Sequence, residues 1–210
     1  ALLLSPTEVT AAEDVHLRWG KPGCQRYLYH HEFVLCYDTE RRVPVWAAYQ
    51  LASTDIKKLT RRNAFRTDPR LLPEETATCD DYAKRPTQAR DFDRGHTVPN
   101  ADMNRSKVAQ ANTYLLSNMT PQHLRFNEGV WARFEDRVRA WVKAHGRVHV
   151  ISGSVFDRDD DQQPDAVGNA EWKRPTKRVV IARLVIVTGM SKLFQAIVRP
   201  ARLHRLPLTS

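Results

Sequence analysis

A histidine stands behind Asp93, Arg94 and Gly95 in the stretch DFDRGHTVPNADMN at residues 91 to 104, where the apolar residues follow neither a helical nor a strand-like rhythm. A histidine placed for packing sits in an apolar pattern. His96 instead has a charged pair before it and a proline-asparagine turn after it. Imidazole changes charge near neutral pH, so a residue in this setting points to chemistry rather than packing. Downstream, FNEGVWARFED carries Asn127 and Glu135 at the start of a segment with helical spacing. On an α-helix that separation sets the two side chains about 80° apart around the axis and roughly 12 Å apart along it. They share a broad face. Because helical side chains lean toward the N-terminus, a Glu at that distance reaches an ion held by Asn127 only through an intervening water. Each residue also has a plainer reading, Asn127 as a helix N-cap and Glu135 as the i+4 partner of Arg139.

These residues need a scaffold, and the rest of the chain predicts one of the α+β class. Strands are expected at 32 to 37, 44 to 51, 147 to 153, 178 to 187 and 192 to 198, each rich in β-branched or aromatic residues and bounded by Pro, Gly or charge. From Glu128 to His145, Val130, Phe134, Val138, Trp141 and Val142 recur at three- and four-residue spacing, and Gly146 follows as a stop, which predicts a helix. TYLLSNMTPQ at 113 to 122 reads as a short strand ending in a turn at Thr120-Pro121, and a helical segment from Arg105 to Thr113 links it to the region of His96.

The chain has 210 residues with 33 Lys and Arg against 24 Asp and Glu, a formal charge of +9. Its length suits one well-filled domain, and its charge points to a polyanionic partner, nucleic acid or an anionic membrane surface. The longest apolar run, VVIARLVIV at 179 to 187, is too short to span a bilayer and contains an arginine. Residues 1 to 20 read as an N-terminal extension whose apolar patch and small residues resemble the remnant of a secretion signal, ahead of a single domain at 21 to 210. Of the three cysteines, Cys36 reads as a buried small hydrophobe, and if a bridge forms it joins Cys24 to Cys79. The acidic segment DRDDDQQPD fails as a calcium loop, because Gln162 stands at the sixth position and Gly168 at the twelfth, so a solvated surface loop is expected.

DRGH at 93 to 96 with Pro99 and ADM at 101 to 103, then YLLSNMTPQ, then NEGVWARFED, resembles the DNA/RNA non-specific endonuclease family of the ββα-metal superfamily. The upstream segments FVLCYDTERRVPVWAAYQL and RRNAFRTDP extend the likeness over most of residues 20 to 155. The resemblance implies a ββα-metal fold, a central antiparallel sheet with helices packed on it. By position it makes His96 the general base and Asn127 the one direct protein ligand of a hydrated Mg²⁺, for which Mn²⁺ is a substitute. It gives Glu135 the metal's water shell and Asn118 a supporting polar role. Arg62 is the phosphate-contacting arginine, with Arg61 able to take its place, and Asp93 and Arg94 serve orientation or substrate contact.

That reading implies an endonuclease hydrolysing DNA and RNA to 5′-phosphate products with little sequence choice. Such enzymes gain affinity from the phosphate backbone rather than from base edges. Lys84, Arg85, Arg90, Arg125 and Arg133, with the arginines of 61 to 70, are available for such a surface. No membrane partner is implied and a homodimer stays open. The location is secreted or periplasmic, or alternatively mitochondrial. The rivals are a catalytically weak nucleic-acid-binding homologue and a sequence-specific nuclease of the same superfamily. Thr97 and Tyr114 depart from the family pattern, and after residue 165 the likeness fades.

Overall fold

The structure, a computed structural model, describes residues 4–57, 59–62, 64–82, 92–155, 182–188, 194–198 and 203–205. In chain order the elements are α1 (Pro6–His16), β1 (Arg26–Tyr29), β2 (Val34–Asp38), β3 (Val43–Ala52), β4 (Phe92–His96), α2 (Lys107–Thr113), β5 (Met119–His123), α3 (Ala132–His145), β6 (Arg147–Val155), β7 (Ala182–Thr188), β8 (Phe194–Val198) and β9 (Leu203–Arg205). Seven strands form one antiparallel sheet in the order β1-β2-β3-β6-β7-β8-β9, while β4 and β5 make a separate two-stranded ribbon. The expected α+β class, a central antiparallel sheet with helices on it, is present. The acidic segment and Lys84, Arg85 and Arg90 lie outside the described residues. No described helix is long and apolar enough to cross a membrane.

One core lies between the sheet and α3. Phe134, Val138 and Val142, spaced four apart on one helical stripe, bury against Leu35, Ala47, Tyr49, Leu51, Val148 and Val150. Each such side chain contributes about 1.5–3 kcal/mol of apolar burial. Val130 and Trp141, expected in the same stripe, flank it and are partly buried. A second cluster occupies the opposite face, where Ala12 and Leu17 from α1 and the residue after it meet Val34, Ala48 and Ile151. Covered on both sides, β2 is buried at every position. That explains why its sequence is a continuous apolar run rather than an alternation.

Within residues 1 to 20, expected to be an extension, α1 and Leu17 thus pack on the sheet. Ser5-Pro6-Thr7-Glu8 forms a capping box with Pro at the first turn: Ser5 N–H donates to Glu8 Oε2 at 2.8 Å and Glu8 N–H to Ser5 Oγ at 3.4 Å. The helix ends on His16, whose ring docks into the sheet. Ladder pairing of β3 with β2 ends at Ala48, and His16 Nδ1 accepts the N–H of Gln50 at 3.1 Å, while the opposite ring nitrogen donates to the His31 carbonyl at 3.0 Å.

The disulfide joins Cys24 to Cys36, not to Cys79, which is free and exposed. Cys36 pairs with Tyr27 in the β1–β2 ladder, and a bend at Gln25, just ahead of β1, brings Cys24 to it with a Cα–Cα distance of 5.6 Å. Cys36 is thus a staple between the lead-in to β1 and its neighbour strand rather than a lone buried hydrophobe. The 113 to 122 segment also differs from expectation. A 3₁₀ turn occupies Leu116–Asn118, and Thr120 and Pro121 lie inside β5. Both strands of a two-stranded ribbon are edges, so the missing proline N–H is tolerated there.

Burial pushes the His16 imidazole down to about 4 from its ordinary 6.5, and Arg105 and His149 add like charge. The unfolded chain takes up that proton first, so this contribution to stability is complete above pH 6.5 and is lost as the pH falls toward 4. The expected loss between these limits is on the order of 3 kcal/mol. Urea denaturation at a series of pH values should show that slope in the parent and a shallower one in His16→Gln. Parallel profiles would contradict the assignment.

Candidate active site

The segment from β4 to α3 is a strand–strand–helix unit set against the sheet: β4 carries Asp93, Arg94 and His96, Asn118 stands just ahead of β5, Asn127 lies in the turn before α3, and α3 carries Glu135. DRGH, which lacks any strand rhythm, is β4. Its pairing is supplied by a distant partner, with Asp93 opposite Gln122, Gly95 opposite Thr120 and His96 opposite Met119. Arg94 and His96, two positions apart, point to one face of this ribbon. Gly95 is required by what lies over it. A Cβ built there falls 1.9 Å from Gln122 Oε1 and 2.3 Å from its Cγ, and Gln122 is fully buried.

Immediately after β4 the chain is fixed by Asn118. This residue is fully buried, with its Oδ1 accepting the Val98 N–H at 2.9 Å and its Nδ2 donating to the Val98 and Thr113 carbonyls at 3.0 Å. Its carbonyl accepts the Thr97 N–H at 2.9 Å. Asn118 therefore braces the backbone that carries His96 and does not line the cleft.

Asn127 is not an N-cap. It sits within a π-helical turn, Phe126–Trp131, in which Ala132 N–H reaches back to the Asn127 carbonyl. A π turn spends about one more residue than an α turn. That removes roughly 100° of accumulated rotation, so the 80° offset between Asn127 and Glu135 becomes about 20° in the other sense. The Asn127 amide nitrogen donates to Asp93 Oδ2 at 3.1 Å, which fixes the roll of the side chain and turns its oxygen away from that carboxylate. One turn past Glu135, Arg139 donates to Asp102 Oδ1 at 2.9 Å and to Asp136 Oδ1 at 2.6 Å.

Asp102, fully buried in the 3₁₀ turn Asn100–Met103 that follows His96, also accepts from Tyr49 Oη at 2.8 Å. Burial opposes charge in this group, yet Asp102 and Asp136 together hold the Arg139 guanidinium above its usual range. Burial, followed by the Asp102 charge, raises the Tyr49 hydroxyl well above its ordinary value, so it stays a neutral donor.

Arg61, Arg94, His96, Asn127, Glu128 and Glu135 line a single cleft of about 390 Å³. Arg62 is exposed and is not among the described residues lining it. Arg61 enters instead, with its Nε donating to Tyr114 Oη at 3.1 Å. The cleft brings together two guanidinium groups, an imidazole, three amides, of Asn100, Asn104 and Asn127, and two carboxylates. No group of three His, Cys, Asp or Glu suited to a metal is present among the described residues. The oxygen-rich wall of Asn127, Glu128 and Glu135 fits a hard cation that keeps its waters. Sequence reasoning missed Glu128, Asp102 and Phe65. The ADM and RRNAF segments that carry the last two were visible, but nothing local marks a buried carboxylate or a ring beneath an arginine.

Gly95→Ala must displace a buried glutamine, an overpacking expected to destabilise by about 1–3 kcal/mol. The double variant Gly95→Ala/Gln122→Ala should recover most of that loss in urea melts. Recovery failing while the single variant is destabilised would show that the contact is not the cause.

The family model for DNA/RNA non-specific endonucleases matches residues 17–185 of the chain. The chain is 36% identical over 178 residues to a mitochondrial nuclease EXOG of Danio rerio, covering 79% of this chain and 50% of that protein. It is 30% identical over 150 residues to a nuclease of Serratia marcescens, covering 68% and 55% respectively. Human mitochondrial endonuclease G is 30% identical over 141 residues, covering 66% and 46%. The chain thus spans about half the length of these relatives. A solved EndoG/EndoGI complex superposes with a TM-score of 0.74 at 22% identity, covering 97% of this chain and 87% of that one, which shares the fold. The two-strand-and-helix unit, the order of its motifs and these matches together make the chain a member of the DNA/RNA non-specific endonuclease family.

Proposed function

We propose that this chain hydrolyses phosphodiester bonds in DNA and RNA with little sequence preference, leaving 5′-phosphate ends. The observation that carries this reading is the convergence of His96, Asn127 and Glu135 on one cleft with Arg61 and Arg94. His96 takes a proton from the water that attacks phosphorus, a role worth about 10² to 10⁴-fold in rate. Arg61 and Arg94 bind the nonbridging phosphate oxygens and neutralise the charge that grows on them as the pentacoordinate state forms. The bond to the 3′ oxygen then breaks and the phosphate stays with the 5′ end. Asn127, rolled into place by Asp93, would hold a hydrated Mg²⁺, or Mn²⁺ in its place, with Glu135 on its waters. Such an ion supplies positive charge for the leaving oxygen. The cleft presents backbone-reading cations, which supports both nucleic acids as substrates.

The Cys24–Cys36 bridge supports an oxidising compartment, in keeping with a secreted or periplasmic location. The mitochondrial names of some relatives motivate the alternative.

Plasmid DNA and ribosomal RNA incubated with Mg²⁺ should both be degraded to fragments with 5′-phosphate ends, and EDTA should stop the reaction. Discrete fragments would favour a sequence-specific nuclease, and binding without cutting would favour a non-catalytic homologue. His96→Ala should lose at least about 10²-fold in kcat while keeping salt-sensitive binding. Asn127→Ala should lose Mn²⁺ binding in a calorimetric titration, and an unchanged titration would remove it from the metal site.

A further inference from the structure

Both arginines of the cleft are exposed side chains, yet each is held by an aromatic ring whose own position is fixed by the backbone. Tyr114, 1% exposed, closes α2, and its carbonyl accepts the Arg66 N–H at 3.2 Å while Leu116 N–H donates to the Arg66 carbonyl at 2.8 Å. That bridge docks the 61 to 66 segment, and with it Phe65, onto the end of α2. The two rings meet edge to face at 5.1 Å, and the His96 ring lies against both, 5.5 Å from Tyr114 and 5.9 Å from Phe65. The Arg94 guanidinium carbon lies 4.0 Å from the centroid of Phe65, and Arg61 Nε donates to the Tyr114 hydroxyl at 3.1 Å.

We propose that Phe65 and Tyr114 are positioning residues that preset the two phosphate-binding arginines, Phe65 through its ring face to Arg94 and Tyr114 through its hydroxyl to Arg61. The proposal rests on the reading of this cleft as a phosphodiester site. A free arginine loses side-chain freedom when it grips a phosphate, whereas a guanidinium already stacked or hydrogen-bonded loses less. The cation over a ring face and the hydroxyl bond leave the other N–H groups of each fork to point into the cleft. The bracket acts on ground-state grip as well as on the growing charge, and its rings pack against His96, tilted at Phe65 and edge-on at Tyr114, without exchanging a proton with it. Its effect therefore falls on substrate affinity more than on proton transfer.

Tyr114→Phe removes the hydroxyl and keeps the ring packing, so it isolates the tether to Arg61. Loss of a hydrogen bond to a charged group at a partly exposed site predicts a rise of roughly 3- to 10-fold in KM for DNA. kcat should stay within about twofold and the thermal midpoint should not change. Phe65→Leu should raise KM similarly through Arg94, and Phe65→Tyr, which preserves the ring face, should restore it. The decisive measurement is a cycle with Arg61→Ala, in which Tyr114→Phe should add no further loss. The cycle is read both as KM and as the Kd of a fluorescein-labelled oligonucleotide in EDTA. An unchanged KM and Kd in Tyr114→Phe, or the same loss with and without Arg61, overturns the proposal. A loss that tracks a lowered thermal midpoint overturns it too. If the parent protein binds but does not cut, the catalytic reading fails on its own, and the Kd cycle still decides whether the rings position the arginines.

Discussion

A single buried carboxylate ties the site to its scaffold. Asp102 follows the strand that carries His96 and is bonded at once to Tyr49 in the middle of β3 and to Arg139 on α3. Apolar contacts constrain the separation of ribbon, sheet and helix but not their register. Hydrogen bonds to a charged group are directional and stronger than neutral ones, so this node fixes how far α3 slides and rolls relative to the end of β4. The distance between the imidazole on one element and the amide and carboxylate on the other is set by that registration. Removing one partner of a buried pair leaves an uncompensated charge, which makes the arrangement all-or-none rather than adjustable.

The π turn that opens the helix adds a second geometric constraint. A regular α-helix would leave Asn127 and Glu135 about 80° apart on a broad shared face. One extra residue in the turn brings the two side chains nearly into line along the axis. Asp93 then fixes the amide from the neighbouring strand. The DRGH stretch thus contributes in three directions: its aspartate orients the candidate ligand, its glycine admits the buried Gln122 side chain, and its arginine and histidine face the cleft.

The far side of the sheet adds apolar burial that the polar site does not supply. β2 and β3 are covered by α3 on one face and by α1 on the other, and the Cys24–Cys36 bridge closes the edge near β1. His16 completes this second layer as a neutral imidazole, accepting an amide that the β2 ladder no longer reaches. The site then carries Arg61 and Arg94 on exposed side chains, each in contact with an aromatic ring.

Much of this was legible in the residues alone. The α3 stripe of Phe134, Val138 and Val142, the apolar runs of β2, β3 and β6, and the order of the three motif blocks are local or sequential properties, because helical and strand periodicities repeat within a few residues. The capping box at Ser5 was equally local and went unread beside an apolar, small-residue stretch that resembles a signal remnant. Other features depend on partners far away in the chain. DRGH becomes a strand because Met119–His123 pairs with it, and Pro121 survives inside that strand because, among the described residues, the ribbon has no third strand. Cys24 meets Cys36 through a bend just ahead of β1, and Arg61 rather than Arg62 lines the cleft, where it meets the Tyr114 hydroxyl. The sequence by itself determined which residue types were present and where regular elements begin. Which atoms face one another was decided only on folding, since register, helical roll and the pairing of buried charges are fixed by contacts that no local pattern encodes.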